Sequence, residues 1–316
     1  MRVFVAGGSG AIGRPLIVRL VGAGHSVVAM TRSAKKGDAI RAAGAEPAVA
    51  DALDEAAVTA AVREAAPGAV VHQLTALGGL SGNPRRFDRD FEVTNRLRTE
   101  GTDHLLHAAR EVGARRFVAQ SFAGWPYARE GGPVKTEDDP LDPDPPPSQR
   151  ETLAAIRYLE DAVAGAEGIE GVVLRYGGFY GPGTGLARGE ESRFADTIRK
   201  RRFPILDSGT GVWSFIHIDD AAAGTVAALE RGAPGIYNIV DDDPAQVSEW
   251  LPALAAGLGA KPPRRLPTWL GRIVGGELAV SSMTQVRGAS NAKAKRELGW
   301  QPAHTSWREG FQTGLG

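Results

Sequence analysis

Residues 2–33 read RVFVAGGSGAIGRPLIVRLVGAGHSVVAMTRS. The apolar run at 2–6 ends at a glycine and reads as a buried strand. A glycine turn follows, then a helix, then a second apolar run at 27–30. Gly7, Gly10 and Gly13 are spaced G-x-x-G-x-x-G. Between a strand and a helix that spacing has a mechanism. The first glycine makes the tight turn, the second lets a pyrophosphate approach the backbone, and the third lets the helix pack closely. Free N–H groups and the helix dipole then favour an anion at the helix N-terminus. Pro15 falls near the first turn, where a missing N–H costs little. Gly7, Ser9, Gly10, Ala11, Ile12 and Gly13 are therefore candidate dinucleotide contacts. A glycine-rich turn with no ligand is the alternative.

The end of the second strand bears on which dinucleotide binds. An NAD site usually places Asp or Glu there for the ribose hydroxyls. This chain has Met30-Thr31-Arg32-Ser33, followed by Lys35 and Lys36. With a carboxylate absent and three cations near, NADP is expected rather than NAD. Arg32 would pair with the 2′-phosphate and Ser33 would donate to it. The other interpretation makes Arg32 and the lysines a solvated loop.

The alternation continues with a strand at 48–50, a helix at 54–66, a strand at 69–72, a long helix at 87–112 and a strand at 116–119. Strands alternating with helices predict an α/β fold with a parallel, doubly wound sheet. At 316 residues the chain can hold one large or two modest domains. Its 37 basic and 37 acidic side chains give a formal net charge of zero. That leaves no electrostatic footprint for nucleic acid or an anionic membrane. The absence of cysteine excludes disulfides, thiolate catalysis and thiolate metal sites. The histidines show no metal-ligand spacing, so no metal is expected. No apolar run reaches the roughly 20 residues of a membrane helix. A strand starting at residue 2 leaves no room for a signal peptide, and a cytoplasmic protein is expected.

Beyond these local patterns, the chain resembles the extended short-chain dehydrogenase/reductase superfamily, in its NAD-dependent epimerase/dehydratase group. The residues that carry the resemblance are GGSGAIG at 7–13, ADALD at 50–54, VTNRLRTEGTDHLLHAA at 93–109 and RRFVAQS at 115–121. LRYGGFYGPG at 174–183, SFIHIDDAA at 214–222, GIYNIVDDDP at 235–244 and AKRELGWQP at 294–302 complete the set. The resemblance implies a Rossmann dinucleotide domain from 1–175 with 212–240, and a smaller substrate cap from 176–211 with 241–316. It carries cofactor contacts onto Asp51, Ala52, Leu74, Asn95, Ser121 and Tyr176, with Asp51 at the adenine position. It also implies a homodimer through the helices at 87–112 and 149–165. Trp250, Trp269, Trp300 and Trp307 enrich the C-terminal third, as cap core or as a substrate wall. The acidic, proline-rich stretch at 137–147 reads as a rigid loop.

Residues 145–163, PPPSQRETLAAIRYLEDAV, open the helix on which this family carries Tyr-x-x-x-Lys. There the lysine lies one turn from the tyrosine and lowers its pKa, which makes it an acid/base. A Ser or Thr after the fifth strand orients the substrate oxygen. This chain departs at each member. None of Tyr127, Tyr158, Tyr176, Tyr180 and Tyr237 has a lysine four residues on. With Glu160 in the family register, Thr152 takes the tyrosine position and Ile156 the lysine position. Ser121 is kept, but the usual catalytic position one residue later is Phe122; a one-residue shift of the alignment restores Ser121. Tyr127, on the loop after Ser121, and Tyr180, at the carboxyl edge after the sixth strand, are candidate substitute acids, with a purely structural or binding role the alternative for each, and with Ser121 they make up the catalytic candidates. His217 titrates in a useful range, but it opens the Asp-Asp helix and reads as structural. Tyr158 and Tyr176 read as packing residues, Lys135 as a solvated loop lysine, and Arg175 as a tie at the strand end.

These features point to an NADP(H)-dependent oxidoreductase or epimerase acting on an apolar small molecule. General acid catalysis typically adds only about 10²–10⁴-fold, so hydride transfer survives a weak acid or bulk water. Two alternatives stand beside it: a catalytically silent dinucleotide-binding sensor, and a non-redox isomerase, lyase or cyclase on the same scaffold.

Overall fold

The computed structural model describes residues 1–77, 83–187 and 193–315. Seven parallel strands form the central sheet: β1 (Arg2–Ala6), β2 (Ser26–Thr31), β3 (Glu46–Val49), β4 (Ala69–His72), β5 (Arg116–Phe122), β6 (Glu170–Tyr176) and β7 (Gly235–Ile239). Their order across the sheet is β7-β6-β5-β4-β1-β2-β3. The order reverses between β1 and β4, and in such sheets the crevice at the carboxyl ends of the strands beside that reversal is where ligands bind.

Period-two alternation sends Val3 and Val5 to one face and Phe4 and Ala6 to the other. The first face packs on α1 (Gly13–Gly22) through Leu16, Ile17 and Leu20. The second packs on α2 (Glu55–Ala65) through Val58 and Val62, which fall four residues apart on one helical stripe. Asp54 starts α2 by accepting the Ala57 N–H at 3.1 Å, and Ala66, at φ 42°, ends it in the left-handed region. Each such fully buried Val or Leu contributes roughly 1.5–3 kcal/mol.

The expected single helix at 87–112 is three helices: α3 (Phe87–Asp90), α4 (Glu92–Arg98) and α5 (Glu100–Glu111). Thr99 breaks the last junction at φ −98°, ψ −83°. Its hydroxyl donates to the Asn95 carbonyl at 3.1 Å, a local bond that competes with helix continuation. The proline-rich loop then delivers the chain to α6 (Arg150–Ala164), and α7 (Ile218–Glu230) covers the first face.

A smaller domain lies C-terminal, with its own core. Trp250 on α8 (Val247–Gly257) and Trp307 and Phe311 on α10 (Trp307–Thr313) are fully buried around Phe215 and Tyr180. Between them in sequence, α9 (Thr268–Thr284) is kinked at Gly276, whose φ of 73° suits glycine. Of the four C-terminal tryptophans, Trp250 and Trp307 fill this core. Trp300 instead packs in the first face of the large sheet, and Trp269 is 64% exposed. Two other expectations are corrected. Lys135 is buried and paired with Asp139 at 3.0 Å rather than solvated. Tyr158 is 43% exposed and donates to Asp103 at 2.6 Å rather than packing inside.

Candidate active site

The glycine turn is shaped by close backbone contacts. Gly7 has φ 96°, and a Cβ there would lie 2.7 Å from the Gln73 carbonyl oxygen. A Cβ on Gly13 would lie 2.3 Å from the Gly7 oxygen. The Gly10 N–H closes the turn on the Gly7 oxygen at 3.0 Å. Ser9 is held to β2 by a hydroxyl contact with Thr31 at 3.2 Å. Ile12 is buried at the cap position of α1, and Ala11 beside it is half-buried. The turn thus presents backbone, not side chains, at a helix N-terminus, as a pyrophosphate requires.

At the end of β2, the Ser33 N–H donates to the Thr31 hydroxyl at 3.3 Å. Arg32, Lys35 and Lys36 are exposed, and among the described residues none of their side chains has a hydrogen-bond or ion-pair partner. Arg14, in the first turn of α1, is likewise exposed with its side chain unpartnered, a cation that sequence reasoning passed over. After β3, Asp51 accepts the Leu53 N–H at 3.1 Å, and the buried Ala52 offers its carbonyl to His104 at 2.9 Å. After β4, the Leu74 N–H donates to His72 Nδ1 at 3.2 Å, while His72 Nε2 donates to the Leu97 carbonyl. Burial holds the His72 pKa down to about 4, only partly offset by the Leu97 bond.

Thr152, expected in the family's tyrosine position, is fully buried. Its hydroxyl donates to Asp88 Oδ1 at 2.7 Å and accepts from Asn95 Nδ2 at 3.1 Å. Asp88 also accepts the Thr152 and Glu151 N–H groups, at 2.9 and 3.1 Å, and so caps α6 from a distance. Ile156, one turn on, is fully buried. Asn95 Oδ1 and Gln73 Oε1 are buried at this edge without a protein partner. Such atoms call for a ligand or water. With the glycine cradle, they fit a dinucleotide laid along the carboxyl edge.

Ser121 and Tyr127 belong to one buried polar chain. The Ser121 hydroxyl donates to Glu160 Oε1 at 2.6 Å. Arg175 clamps Glu160 through Nε and Nη2, at 2.8 and 2.6 Å, and donates through Nη1 to the Tyr127 hydroxyl at 3.1 Å. Tyr127 donates in turn to Asn238 Oδ1 at 2.6 Å. Burial pushes its phenol up to about 12, although Arg175 pulls the other way. Both hydroxyls therefore point into the protein. The Tyr176 hydroxyl contacts Thr225 at 2.6 Å and accepts from Gln73 at 3.2 Å, also inside. Tyr180 lies in the core of the smaller domain, edge-on to His217 and Phe311, and its buried hydroxyl lacks a partner. Burial raises its pKa, and the carboxylates of Asp241 and Asp220 add to the rise. The catalytic candidates of the sequence are thus not gathered at one point.

His217 opens α7 and accepts the Asp219 N–H at 3.3 Å, the structural role expected. His217, Asp220 and His304 bring potential ligand atoms within 4.8 Å of one another. The two rings, however, stack face to face at 3.8 Å, and Asp220 is occupied by the Ala303 and His304 N–H groups at 2.8 Å. That is packing, not two nitrogens converging on an ion.

What gathers at the carboxyl edge is aromatic. Phe122, last in β5, lies 6.5 Å from Trp125 between ring centroids. Trp125 meets Phe87 edge-on at 5.5 Å, and Phe87 stacks on Phe91 at 4.3 Å. Sequence reasoning noticed Phe122 but not the other three. The signal was the spacing of the aromatics, Phe87 and Phe91 four residues apart and Phe122 and Trp125 three apart.

The NAD dependent epimerase/dehydratase family matches residues 3–240. Among curated proteins, the chain is 47% identical over 313 residues to a Streptomyces 3-diazoavenalumate denitrifying reductase, covering 98% of this chain and 99% of that one. It is 29% identical to a Stigmatella aurantiaca 4-hydroxy-2-methyl-3-oxo-4-farnesyl-3,4-dihydroquinoline-1-oxide ketoreductase, over 83% of this chain and 74% of the other. Among solved structures, the UDP-glucose 4-epimerase of Thermotoga maritima superposes with a TM-score of 0.76 at 22% identity, covering 100% and 97% of the two chains, which bears on the fold. No helix among the described residues is long and apolar enough to cross a membrane. With the Rossmann sheet, the glycine cradle and the family match in agreement, the chain belongs to the NAD dependent epimerase/dehydratase family and is an enzyme of its oxidoreductase/epimerase kind.

Proposed function

We propose that this protein is an NADPH-dependent reductase that replaces a diazo group by hydrogen on a small, largely apolar carboxylate. The observation that carries the proposal is that no tyrosine of the chain has a lysine four residues on, and the family register puts Thr152, Ile156 and Phe122 at the positions of tyrosine, lysine and serine. A carbonyl reductase gains about 10²–10⁴-fold from an acid that protonates the oxygen as hydride arrives, and a buried Ile156 polarises nothing. A diazonium carbon makes no such demand. The dinucleotide whose pyrophosphate Gly7, Gly10 and Gly13 would hold would supply a hydride for the new C–H bond, and the C–N electron pair would leave with neutral dinitrogen. The 47% identity to a denitrifying reductase of a diazo compound supports the same chemistry. A ketoreductase, as the 29% relative is named, would run without a side-chain acid here and be slower by about 10²–10⁴-fold.

In this proposal Ser121, Tyr127 and Tyr180 are structural, and no side chain acts as the acid. Gly7, Ser9, Gly10, Ala11, Ile12 and Gly13 hold the pyrophosphate, and Asp51, Ala52, Leu74 and Asn95 the rest of the dinucleotide. Arg32 and Ser33 take a 2′-phosphate, which selects NADPH over NADH. Tyr176 supports the nicotinamide end from below rather than touching it. The segments 176–211 and 241–316 close over the substrate, and 1–175 with 212–240 carry the cofactor. A homodimer through α4, α5 and α6 follows the family pattern.

The test uses NADPH dideuterated at the nicotinamide C4, with 4-carboxybenzenediazonium in ordinary water. The expected product carries deuterium on the carbon that lost nitrogen, with one dinitrogen released per NADPH consumed. Hydrogen from water at that carbon, or no NADPH consumption, overturns the proposal.

A further inference from the structure

Phe87, Phe91, Phe122 and Trp125 are all half-buried. None of them joins the hydrophobic cores on the two faces of the sheet, in the smaller domain or around Tyr127. They pack on one another instead, at centroid distances of 4.3–6.5 Å. Apolar rings gathered at a ligand-binding edge, and left partly open to water, are surfaces kept for a ligand. Their place is set by two anchors. Phe122 ends β5 beside Tyr176 of β6 in register, and Phe87 precedes Asp88, which caps α6 at Thr152.

The charge around the rings is specific. Ile156 supplies no cation where the family pattern has lysine, and Asp88 places a carboxylate next to Phe87. Arg86 and Arg89, on either side, are exposed, where water and salt screen them. Ring faces carry negative quadrupole density and attract a flat, electron-poor or cationic partner. We propose that Phe122 and Trp125, backed by Phe87 and Phe91, are the specificity-determining platform for an aromatic, positively charged substrate: an arenediazonium rather than an aliphatic diazo compound. This rests on the diazo-removing activity proposed above and gives it a substrate class. A lysine at position 156 would repel such a cation.

The test needs no turnover. Phenyltrimethylammonium and its neutral isostere tert-butylbenzene are titrated calorimetrically into the full chain saturated with NADP. The cation is expected to bind about fivefold tighter than the isostere. Trp125→Leu should erase that preference, while NADP affinity and thermal midpoint stay as in the parent. Equal binding of the two probes, or a preference untouched by both Trp125→Leu and Phe122→Leu, overturns the platform. If the preference holds while 4-carboxybenzenediazonium is not reduced, the cation-binding platform stands and the diazo chemistry falls.

Discussion

The hydroxyl of Thr152 donates to Asp88 Oδ1 at 2.7 Å, so the residue expected in the family's proton-donor position holds a helix end in place. The same carboxylate takes two N–H groups of α6. Thr152→Val removes the hydroxyl and strands Asn95 Nδ2 as well. The expected cost is about 1–3 kcal/mol of stability, read by urea unfolding. Turnover per folded molecule should change less than threefold, whereas a proton donor would lose about 10²-fold or more.

Tyr127 and Tyr180 offer a paired comparison. Tyr127→Phe leaves Asn238 and Arg175 with unmet polar atoms inside the protein, and should cost about 1–3 kcal/mol. Tyr180→Phe removes a buried hydroxyl that lacks a partner, and should be neutral or stabilising by about 1 kcal/mol. Thermal midpoints moving in these two directions, with NADPH oxidation rates kept in both variants, fit two structural tyrosines. A rate collapse in either would return that tyrosine to the reaction.

Under the proposed NADPH preference, Arg32 is the residue that selects the dinucleotide. Removing one charge-assisted contact to a 2′-phosphate is worth about 1.5–3 kcal/mol, or roughly 10–100-fold. Arg32→Ala should raise the Kd for NADPH by that factor and leave NADH within about twofold. Equal losses for both would move the selectivity elsewhere, with Arg14 the next candidate.

His72 gives the fold an acid limit. Its folded pKa of about 4 lies below the ordinary 6.5. The folded protein therefore binds fewer protons than the unfolded chain between those values. Its contribution is fully present above pH 6.5 and lost as pH falls toward 4, on the order of 3 kcal/mol. Chemical unfolding across that window should show the loss, and His72→Asn should flatten it. An unchanged slope in the variant would assign the acid sensitivity to other groups.

The sheet was legible because β1, β2, β4 and β5 are continuous apolar runs bounded by glycines and charges, and such strands need no tertiary information. The glycine turn was legible because backbone geometry leaves few residue choices there. The breaks at Phe91 and Thr99 were not, because a threonine hydroxyl bonding back to Asn95 has no periodic signature. Nor could the sequence say which way a tyrosine points. Tyr127 reads as a candidate acid on a loop until Asn238, 111 residues away, accepts its hydrogen bond. The aromatic platform joins residues from α3 and the end of β5, and only the folded sheet brings them together.

The edge strand β7 has a consequence for synthesis. β6 ends at Tyr176, and its outer neighbour begins only at Gly235. While a ribosome makes the intervening segment, at about 5–20 residues per second, β6 waits as an open edge for roughly 3–12 s. An unpaired edge is a template for the wrong strand. Slowing translation across residues 177–234 should therefore lower the yield of folded enzyme, and slowing it once β7 is complete should not.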